Sequence, residues 1–394
     1  MSAPFPQVRV NRKAADRVSS GHPWIFSSDV TDRGEAQPGD AVRVIDPRGA
    51  FLGTAHYSST SQIALRMLSR AVEPSAGPID KSFFLRRLTE AIRLRERVVR
   101  DSNACRLVFS EADLLPGLIA DRYGPYLAIQ TLSQGIERSR DLVVHCLAEL
   151  LQPAGIVARN DVSTRTLEGL PRETTILAGD IPEHALIEMN GLKFQVDLLH
   201  GQKTGAYLDQ RENYVAAAHH ARGRVLDCFT SAGGFALHAA RRAESVEAID
   251  SSAAALEIAE SNAGLNGFSN IQFRRADVFE FLRGIERRYS MVVLDPPAFA
   301  KSRRQLDDAA RGYKEINMRA LRLLDAGGIL IACSCSHHVS EAMLLEIVAQ
   351  ASLDAGKTLR VLERRTQASD HPILLTVPET VYLKCLIFEV VGGI

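Results

Sequence analysis

The run Arg224-Val225-Leu226-Asp227-Cys228-Phe229-Thr230-Ser231-Ala232-Gly233-Gly234 decides the fold. A short apolar segment ends in an acid, a turn of small residues follows, and Gly234–Arg242 then has the composition of a helix. The same unit recurs downstream. Strands are predicted at Arg224–Cys228, Ser245–Asp250, Asn270–Arg274, Tyr289–Leu294 and Gly328–Cys333. Helices are predicted at Gly234–Arg242, Ala253–Asn262, Val278–Gly284, Asp308–Asp325 and Ser340–Ala351. Strict alternation implies a parallel sheet with helices on both faces, an α/β fold. The last two strands, Thr358–Arg364 and Val381–Val390, have no helix between them and are expected to pair antiparallel. Just upstream, Ala185–Leu199 reads as a hairpin turning on Asn190-Gly191, and Tyr207–His220 as a helix.

In open α/β sheets, ligands bind beyond the carboxyl ends of the strands, where the strand order reverses. Asp227, Asp250, Asp277 and Asp295 follow the first four strands, spaced 23, 27 and 18 residues apart. One acid there is an ordinary helix cap. Four in register point to a ligand. The dinucleotide fingerprint G-x-G-x-x-G is missing and so is a P-loop lysine, so nothing is arranged to hold a pyrophosphate or triphosphate. An acid before a glycine-bearing turn suits a ligand with a cationic amino-acid end. Asp250 falls where a ribose diol would be held, and Asp277 where an adenine amino group would be recognised.

On these residues, positions 185–394 resemble the class I S-adenosylmethionine-dependent methyltransferases, with a Rossmann-like sheet and a terminal antiparallel pair. The run from Gly201 to Arg211 (Gly201-Gln202-Lys203-Thr204-Gly205-Ala206-Tyr207-Leu208-Asp209-Gln210-Arg211) narrows the resemblance. It is similar to the signature of a bacterial ribosomal RNA methyltransferase family whose members modify 23S rRNA and include the cytosine-5 enzymes. The resemblance implies S-adenosyl-L-methionine as cofactor. Asp227, Phe229 and Gly233 would line its methionine end, Asp250 would hold the ribose and Asp277 the adenine. Tyr207 and Asp209 would close the site.

Two further strand ends carry the chemistry: Asp295-Pro296-Pro297-Ala298-Phe299, and Cys333-Ser334-Cys335-Ser336 followed by His337-His338. A cysteine at a strand end is ordinarily a small buried hydrophobe. Opposite Asp-Pro-Pro, beside a cofactor turn, it reads instead as a nucleophile. Carbon 5 of a pyrimidine is a poor nucleophile until a thiolate adds to C6, and cysteine both attacks and leaves readily. Asp295 would hydrogen-bond the N3/N4 edge and stabilise the developing charge. Cys333 lies in the apolar strand and is expected to be packed; Cys335 begins the loop, matches the family's Ser-Cys-Ser position and is the expected nucleophile. Related RNA cytosine-5 enzymes of another group carry a second cysteine at Asp-Pro-Pro. Here Leu294 precedes Asp295, which leaves a one-cysteine scheme without an assigned base for the C5 proton. His337 and His338 could serve as bases, but adjacent histidines on a loop are more often exposed, which is the expectation here.

The rest of the chain reads as the RNA-handling part. Of the 394 residues 46% are hydrophobic and 24% charged, which excludes wholesale disorder. Formal charge is zero, yet residues 1–100 hold 16 Lys/Arg against 10 Asp/Glu and the remainder 31 against 37. Residues 1–74 alternate short strands with turns and resemble a PUA domain, a small RNA-binding β-barrel. The resemblance lies in Gly21-His22-Pro23-Trp24-Ile25-Phe26, Pro38-Gly39-Asp40, Gly49-Ala50-Phe51-Leu52-Gly53 and Ser61-Gln62-Ile63-Ala64-Leu65-Arg66. Arg9, Arg12, Lys13 and Arg17 would contact phosphates. Trp24 is expected in the barrel core, with base stacking as the alternative. Glu73 to Pro78 reads as a linker. Residues 79–183 read as a small α+β middle domain opening with a basic amphipathic helix over Lys81–Arg100, whose seven Lys/Arg either extend the RNA surface or face solvent. The methylated base must be exposed, by flipping or in a single strand, and Asp370-His371-Pro372 is placed to face it.

Six scattered cysteines without a C-x-x-C predict neither a disulfide scaffold nor a zinc site. No run approaches the roughly 18 apolar residues of a membrane span, and Met1–Arg17 lacks the apolar core of a signal peptide. The expectation is a soluble cytoplasmic enzyme that acts on 23S rRNA or its precursor particle, with a homodimer allowed by the resemblance. Rival readings are a uridine-C5 rRNA methyltransferase, a non-catalytic RNA-binding or ribosome-assembly protein, and a nicotinamide oxidoreductase, the last disfavoured by the missing glycine fingerprint.

Overall fold

The computed structural model describes residues 5–71, 79–300 and 303–393. The expected linker at 73–78 lies outside the described residues. The chain falls into two compact units. The first comprises Met1–Ala185, Asp197–Gly205 and Asp370–Thr380; the second comprises Leu186–Val196, Ala206–Ser369 and Val381–Ile394.

The first unit opens with β1 (Gln7–Val10), α1 (Arg12–Ser19), β2 (Trp24–Phe26), β3 (Val30–Asp32), β4 (Ala41–Ile45), β5 (Phe51–Tyr57) and β6 (Ile63–Arg70). These strands make one barrel-like sheet in the order β2-β6-β5-β4-β1-β3, closed over Val8, Val10, Ile25, Val42, Val44 and Leu65. Helix α1 was not legible as an element. It is held by the Asn11 side chain, which accepts the Ala14 N–H at 2.9 Å, and by burial of Ala14 and Val18 one turn apart.

The unit continues with α2 (Lys81–Val98), β7 (Ala104–Phe109), β8 (Leu118–Tyr123), β9 (Tyr126–Thr131), α3 (Gln134–Arg138), α4 (Arg140–Leu151), β10 (Gly155–Arg159), α5 (Thr164–Leu167) and β11 (Thr174–Gly179). A five-stranded sheet runs β11-β10-β9-β8-β7, with only β9 and β10 parallel. Phe84 and Leu88 of α2 pack with Val108, Ile129 and Cys146. Helix α2 is not simply a solvated basic face. Arg95 is 2% exposed and forms a bidentate pair with Asp113 at 2.5 and 2.7 Å.

The second unit begins at the hairpin β12 (Ala185–Met189) and β13 (Leu192–Val196). Asn190 and Gly191 both adopt positive φ, 52° and 68°, the pair of left-handed residues that a type I′ turn requires. Alternate residues of both strands are buried. Then follow α6 (Arg211–His220), β14 (Arg224–Cys228), α7 (Gly234–Ala240), β15 (Ser245–Asp250), α8 (Ala253–Leu265), β16 (Ile271–Arg275), α9 (Val278–Gly284), β17 (Tyr289–Leu294), α10 (Leu306–Arg322), β18 (Leu324–Ser334), α11 (Glu341–Asp354), β19 (Lys357–Arg365) and β20 (Lys384–Gly393). The seven-stranded sheet runs β16-β15-β14-β17-β18-β20-β19. Five strands are parallel, and β20 is antiparallel to both of its neighbours.

Most bounds shift from the sequence expectation by a few residues, and three of the shifts are instructive. The α10 helix stops at Arg322 rather than Asp325 because Leu324 already pairs with Tyr289 of β17. The 207–220 helix begins only at Arg211, after a single 3-10 turn at Leu208–Gln210. Strand β20 begins at Lys384 rather than Val381, where its ladder with Ser334 of β18 starts; a 3-10 turn occupies Pro378–Thr380 upstream.

Successive residues of each central strand go to opposite faces of the sheet. Leu226, Cys228, Val292 and Leu294 join Tyr313 and Ile316 of α10. Val225, Met291, Val293 and Cys333 join Tyr214 of α6 and Phe235 of α7. Among the described residues no helix is long and apolar enough to cross a membrane.

Candidate active site

Strand order reverses at β14, which lies between β15 and β17, so the loops after these strands form the crevice in which a ligand is expected. Asp227 is 1% exposed. Its Oδ2 accepts the Thr230 hydroxyl at 2.6 Å, while Oδ1 has no hydrogen-bond partner. Burial, reinforced by the charge of Asp295 close by, pushes this carboxyl up to about 7. The turn after it is conformationally costly: Phe229, Ser231 and Gly233 have φ of 64°, 50° and 87°. Gly234 opens α7 directly against Tyr214, whose ring carbon Cζ would lie 2.3 Å from a Cβ at that position.

Asp250, at the end of β15, accepts the backbone N–H groups of Ser231 and Ser252, each at 2.9 Å. Asp250 thereby ties the turn after β14 to its own strand end. Asp277 is exposed and caps α9, its Oδ1 taking the Glu280 N–H at 3.0 Å. A capping bond and a ligand contact use different oxygens, so one does not preclude the other.

Asp209 is buried, its Oδ2 accepting the Tyr382 hydroxyl at 2.7 Å and its carbonyl the Ala368 N–H at 2.8 Å. Tyr207 is half-buried. Its hydroxyl is held protonated by burial and by the negative charges of Asp295 and Cys335, which puts all three in one electrostatic neighbourhood. Asp295 accepts from Gln210 Nε2 at 3.0 Å; Gln210 is itself oriented by Asn213, whose Nδ2 donates to Oε1 at 2.7 Å. Sequence reasoning missed Gln210, although it stands inside the quoted Gly201–Arg211 run and is the residue that orients Asp295.

Leu294 of β17 pairs with Ala332 of β18, so Asp295 and the Cys333–Ser336 segment leave neighbouring strand ends. Cys333 is buried opposite Cys385 across the β18–β20 ladder, and burial pushes its thiol far up. Cys335 is the one cysteine that is not buried. Tyr313 of α10 bonds Ser334 Oγ at 2.9 Å and Ser336 Oγ at 3.3 Å, bracketing Cys335. Lys384, 6% exposed, donates to the Ser336 carbonyl at 2.7 Å and the Tyr382 carbonyl at 2.8 Å. His337 and His338 are exposed.

One expectation is overturned. Asp370 and His371 do not face an open site: they are 0% and 2% exposed. They belong to the first unit, where Asp370 Oδ2 takes the Arg106 N–H and its carbonyl takes Arg95, both at 2.8 Å.

In the barrel-like sheet the four basic candidates separate. Arg12 and Lys13 are exposed. Arg9 is bonded to the carbonyls of Asp46 and Pro47, and Arg17 is paired with buried Asp29 at 2.8 Å. Trp24 is half-buried rather than in the core, its indole N–H donating to Glu111 at 2.8 Å.

Comparison with known proteins supplies the family. A model of PUA-like domains matches residues 8–70, and a model of S-adenosylmethionine-dependent methyltransferases matches residues 167–389. The chain is 42% identical over 382 residues to the ribosomal RNA large subunit methyltransferase I of Tolumonas auensis, covering 94% of this chain and 96% of that one. It is 43% identical over 379 residues to the protein of the same name from Aeromonas hydrophila, with 93% and 94% covered. Among solved structures, a SAM-dependent methyltransferase from Streptococcus mutans shares the fold at a TM-score of 0.81 and 20% identity, over 98% of this chain and 100% of that one. A methyltransferase complexed with SAH does so at a TM-score of 0.83, with the same identity and coverage.

Proposed function

The chain belongs to the ribosomal RNA large subunit methyltransferase I family of S-adenosylmethionine-dependent methyltransferases, and on that premise we propose that it methylates carbon 5 of a cytidine in 23S rRNA through a covalent adduct with Cys335. The observation that carries the proposal is that Asp295, oriented by Gln210, and the only cysteine that is not buried follow neighbouring strand ends.

The crevice suits the cofactor. Asp227 keeps a buried carboxylate oxygen without a partner, an arrangement that asks for a cationic amino group. Asp227, Phe229 and Gly233 would hold the methionine end, Asp250 the ribose and Asp277 the adenine, with Tyr207 and Asp209 closing the site. S-adenosylmethionine, when bound, supplies the methyl group as an electrophile.

The residues of the chain prepare the base. The sulfur of Cys335 forms a bond to C6, and its electron pair makes C5 carbanion-like. Asp295 hydrogen-bonds the N3/N4 edge as charge develops there. Once C5 carries the methyl, its proton passes to solvent water, the C–H electron pair re-forms the C5–C6 double bond and the S–C6 bond breaks, returning the thiolate. The cytidine has to leave its stack to reach this crevice. Exposed Arg12 and Lys13 would contact RNA phosphates, while Arg9 and Arg17 shape the barrel. With ribosomal RNA as substrate, the place of action is the cytoplasm.

The test replaces cytidine by 5-fluorocytidine in 23S rRNA, with S-adenosylmethionine and either wild type or Cys335→Ala. Fluorine does not leave as a proton does, so wild type should accumulate a protein–RNA adduct and the variant none. On ordinary rRNA the variant should lose methyl transfer by a factor on the order of 10⁴. An adduct on both proteins would sink Cys335 as nucleophile, and methylation of ordinary rRNA without any adduct would sink the cytosine assignment.

A further inference from the structure

Lys384 is a buried ammonium with an unusual set of partners. The described contacts of its Nζ are two backbone carbonyls, of Ser336 and Tyr382, and no carboxylate forms an ion pair with it among the described residues. An ammonium has three donors, so one N–H remains. A buried cation ordinarily survives by pairing with an anion. Among the described residues the charge that acts on Lys384 is that of Cys335, which favours its protonated state, while burial pulls it down to about 8.

The geometry explains why the two meet. Lys384 pairs with Ser334 across the β18–β20 ladder, and its bond to Ser336 O fixes the residue just after the cysteine. The segment 334–336 is held from the other side by Tyr313. The groups around the thiol are Tyr207 and Tyr313, both held neutral by burial and by nearby negative charge, and Asp295, whose charge reaches both tyrosines. His337 and His338 beside it are exposed. Among the described residues Lys384 is the cation whose bonds hold the segment that carries this sulfur, and Asp295 works against it.

We propose that Lys384 is the positioning cation that keeps Cys335 as a thiolate, ready to add to C6 and stabilised again when it leaves. This rests on Cys335 being the nucleophile. The thiol proton goes to solvent before substrate enters, so the addition begins from an ammonium–thiolate pair. The sulfur electron pair then forms the S–C6 bond, negative charge passes to the pyrimidine, and Lys384 keeps its three protons throughout. Elimination reverses the charge flow and returns the thiolate to the same ammonium.

The test reads the sulfur without requiring methyl transfer. Five of the six cysteines are buried, so alkylation of the full-length protein by iodoacetamide, followed at the Cys335 peptide by mass spectrometry, reports this thiol. Its rate is measured from pH 5 to 10 in wild type, Lys384→Met and Lys384→Arg. Wild type should show an inflection at least one unit below the roughly 8.5 of free cysteine. Lys384→Met should move it up by a unit or more, and Lys384→Arg should restore most of the shift. A wild-type inflection at or above 8.5 would overturn the proposal with no variant needed. An inflection unmoved in folded Lys384→Met would do the same, whatever that variant does to turnover. Failure of the Cys335 reading shows separately, as a 5-fluorocytidine adduct that persists in Cys335→Ala.

Discussion

At the scale of the residue, Asp227 makes the site pH-sensitive. Its folded carboxyl titrates near 7 against about 3.9 in an unfolded chain. A raised carboxyl costs nothing below pH 4, and its penalty grows until the folded group is ionised. The ligand-free protein should therefore lose stability between pH 4 and 7 and no more above that. A ligand ammonium against Oδ1 favours the ionised form, so S-adenosylhomocysteine should bind roughly tenfold more tightly at pH 8 than at pH 6, as the ionised share rises from about a tenth to nine-tenths. Calorimetry checks this; Asp227→Asn should flatten the pH dependence and weaken binding, and an equally steep dependence in the variant would refute the assignment. The acids at the strand ends were legible because a parallel sheet puts its ligand there. Gln210 and Lys384 were not, because their importance lies in what they touch. A lysine in an apolar strand reads as a charge to be hidden or exposed, and sequence carries no sign that its ammonium bonds the carbonyl next to a cysteine forty-nine positions earlier.

At the scale of the element, regular alternation was what could be read. Strands β14, β15 and β17 stand where apolar runs end in Asp or Leu, and the β12–β13 hairpin follows from Asn190-Gly191 and its buried alternate residues. Helix α1, eight residues with two buried positions, is too short for a periodic signal. Strand β11 has no fully buried residue and lies at the sheet edge, so it offers no alternation to find. The α6–α7 contact is an element-level constraint visible only in three dimensions. The missing side chain of Gly234 lets Tyr214 lie against the start of α7, with its ring 4.8 Å from that of Phe235, edge to face. Gly234→Ala should cost about 1–3 kcal/mol by overpacking, lowering the melting temperature by several degrees and weakening S-adenosylhomocysteine binding as the turn from Asp227 to Gly233 is displaced. Thermal denaturation with and without the ligand measures both effects.

At the scale of the whole molecule, the buried guanidinium of Arg95 gathers the first unit. It holds Asp113 through two nitrogens, the Arg106 carbonyl at 2.7 Å and the Asp370 carbonyl at 2.8 Å. Arg95→Met leaves Asp113 charged and buried, a loss of about 3–5 kcal/mol. The single tryptophan, Trp24, belongs to this unit, so its fluorescence should report an earlier urea transition in the variant. Cofactor binding by the second unit should be lost at its own midpoint; coincident, unshifted transitions would count against the role given to Arg95. Nothing in sequence announces that Asp370 belongs with Arg95, 275 positions away, because segments of a chain leave one unit and return without a compositional mark. That interrupted path has a consequence for synthesis. The first unit is opened by residue 185 but closed only by Asp370–Thr380, and at roughly 5–20 residues per second the ribosome takes about 10–40 s to make the intervening chain. Throughout that interval the emerging N-terminal half waits without the Asp370 carboxylate to which its Arg106 amide N–H will donate. The part of the protein made first is among the last to be finished.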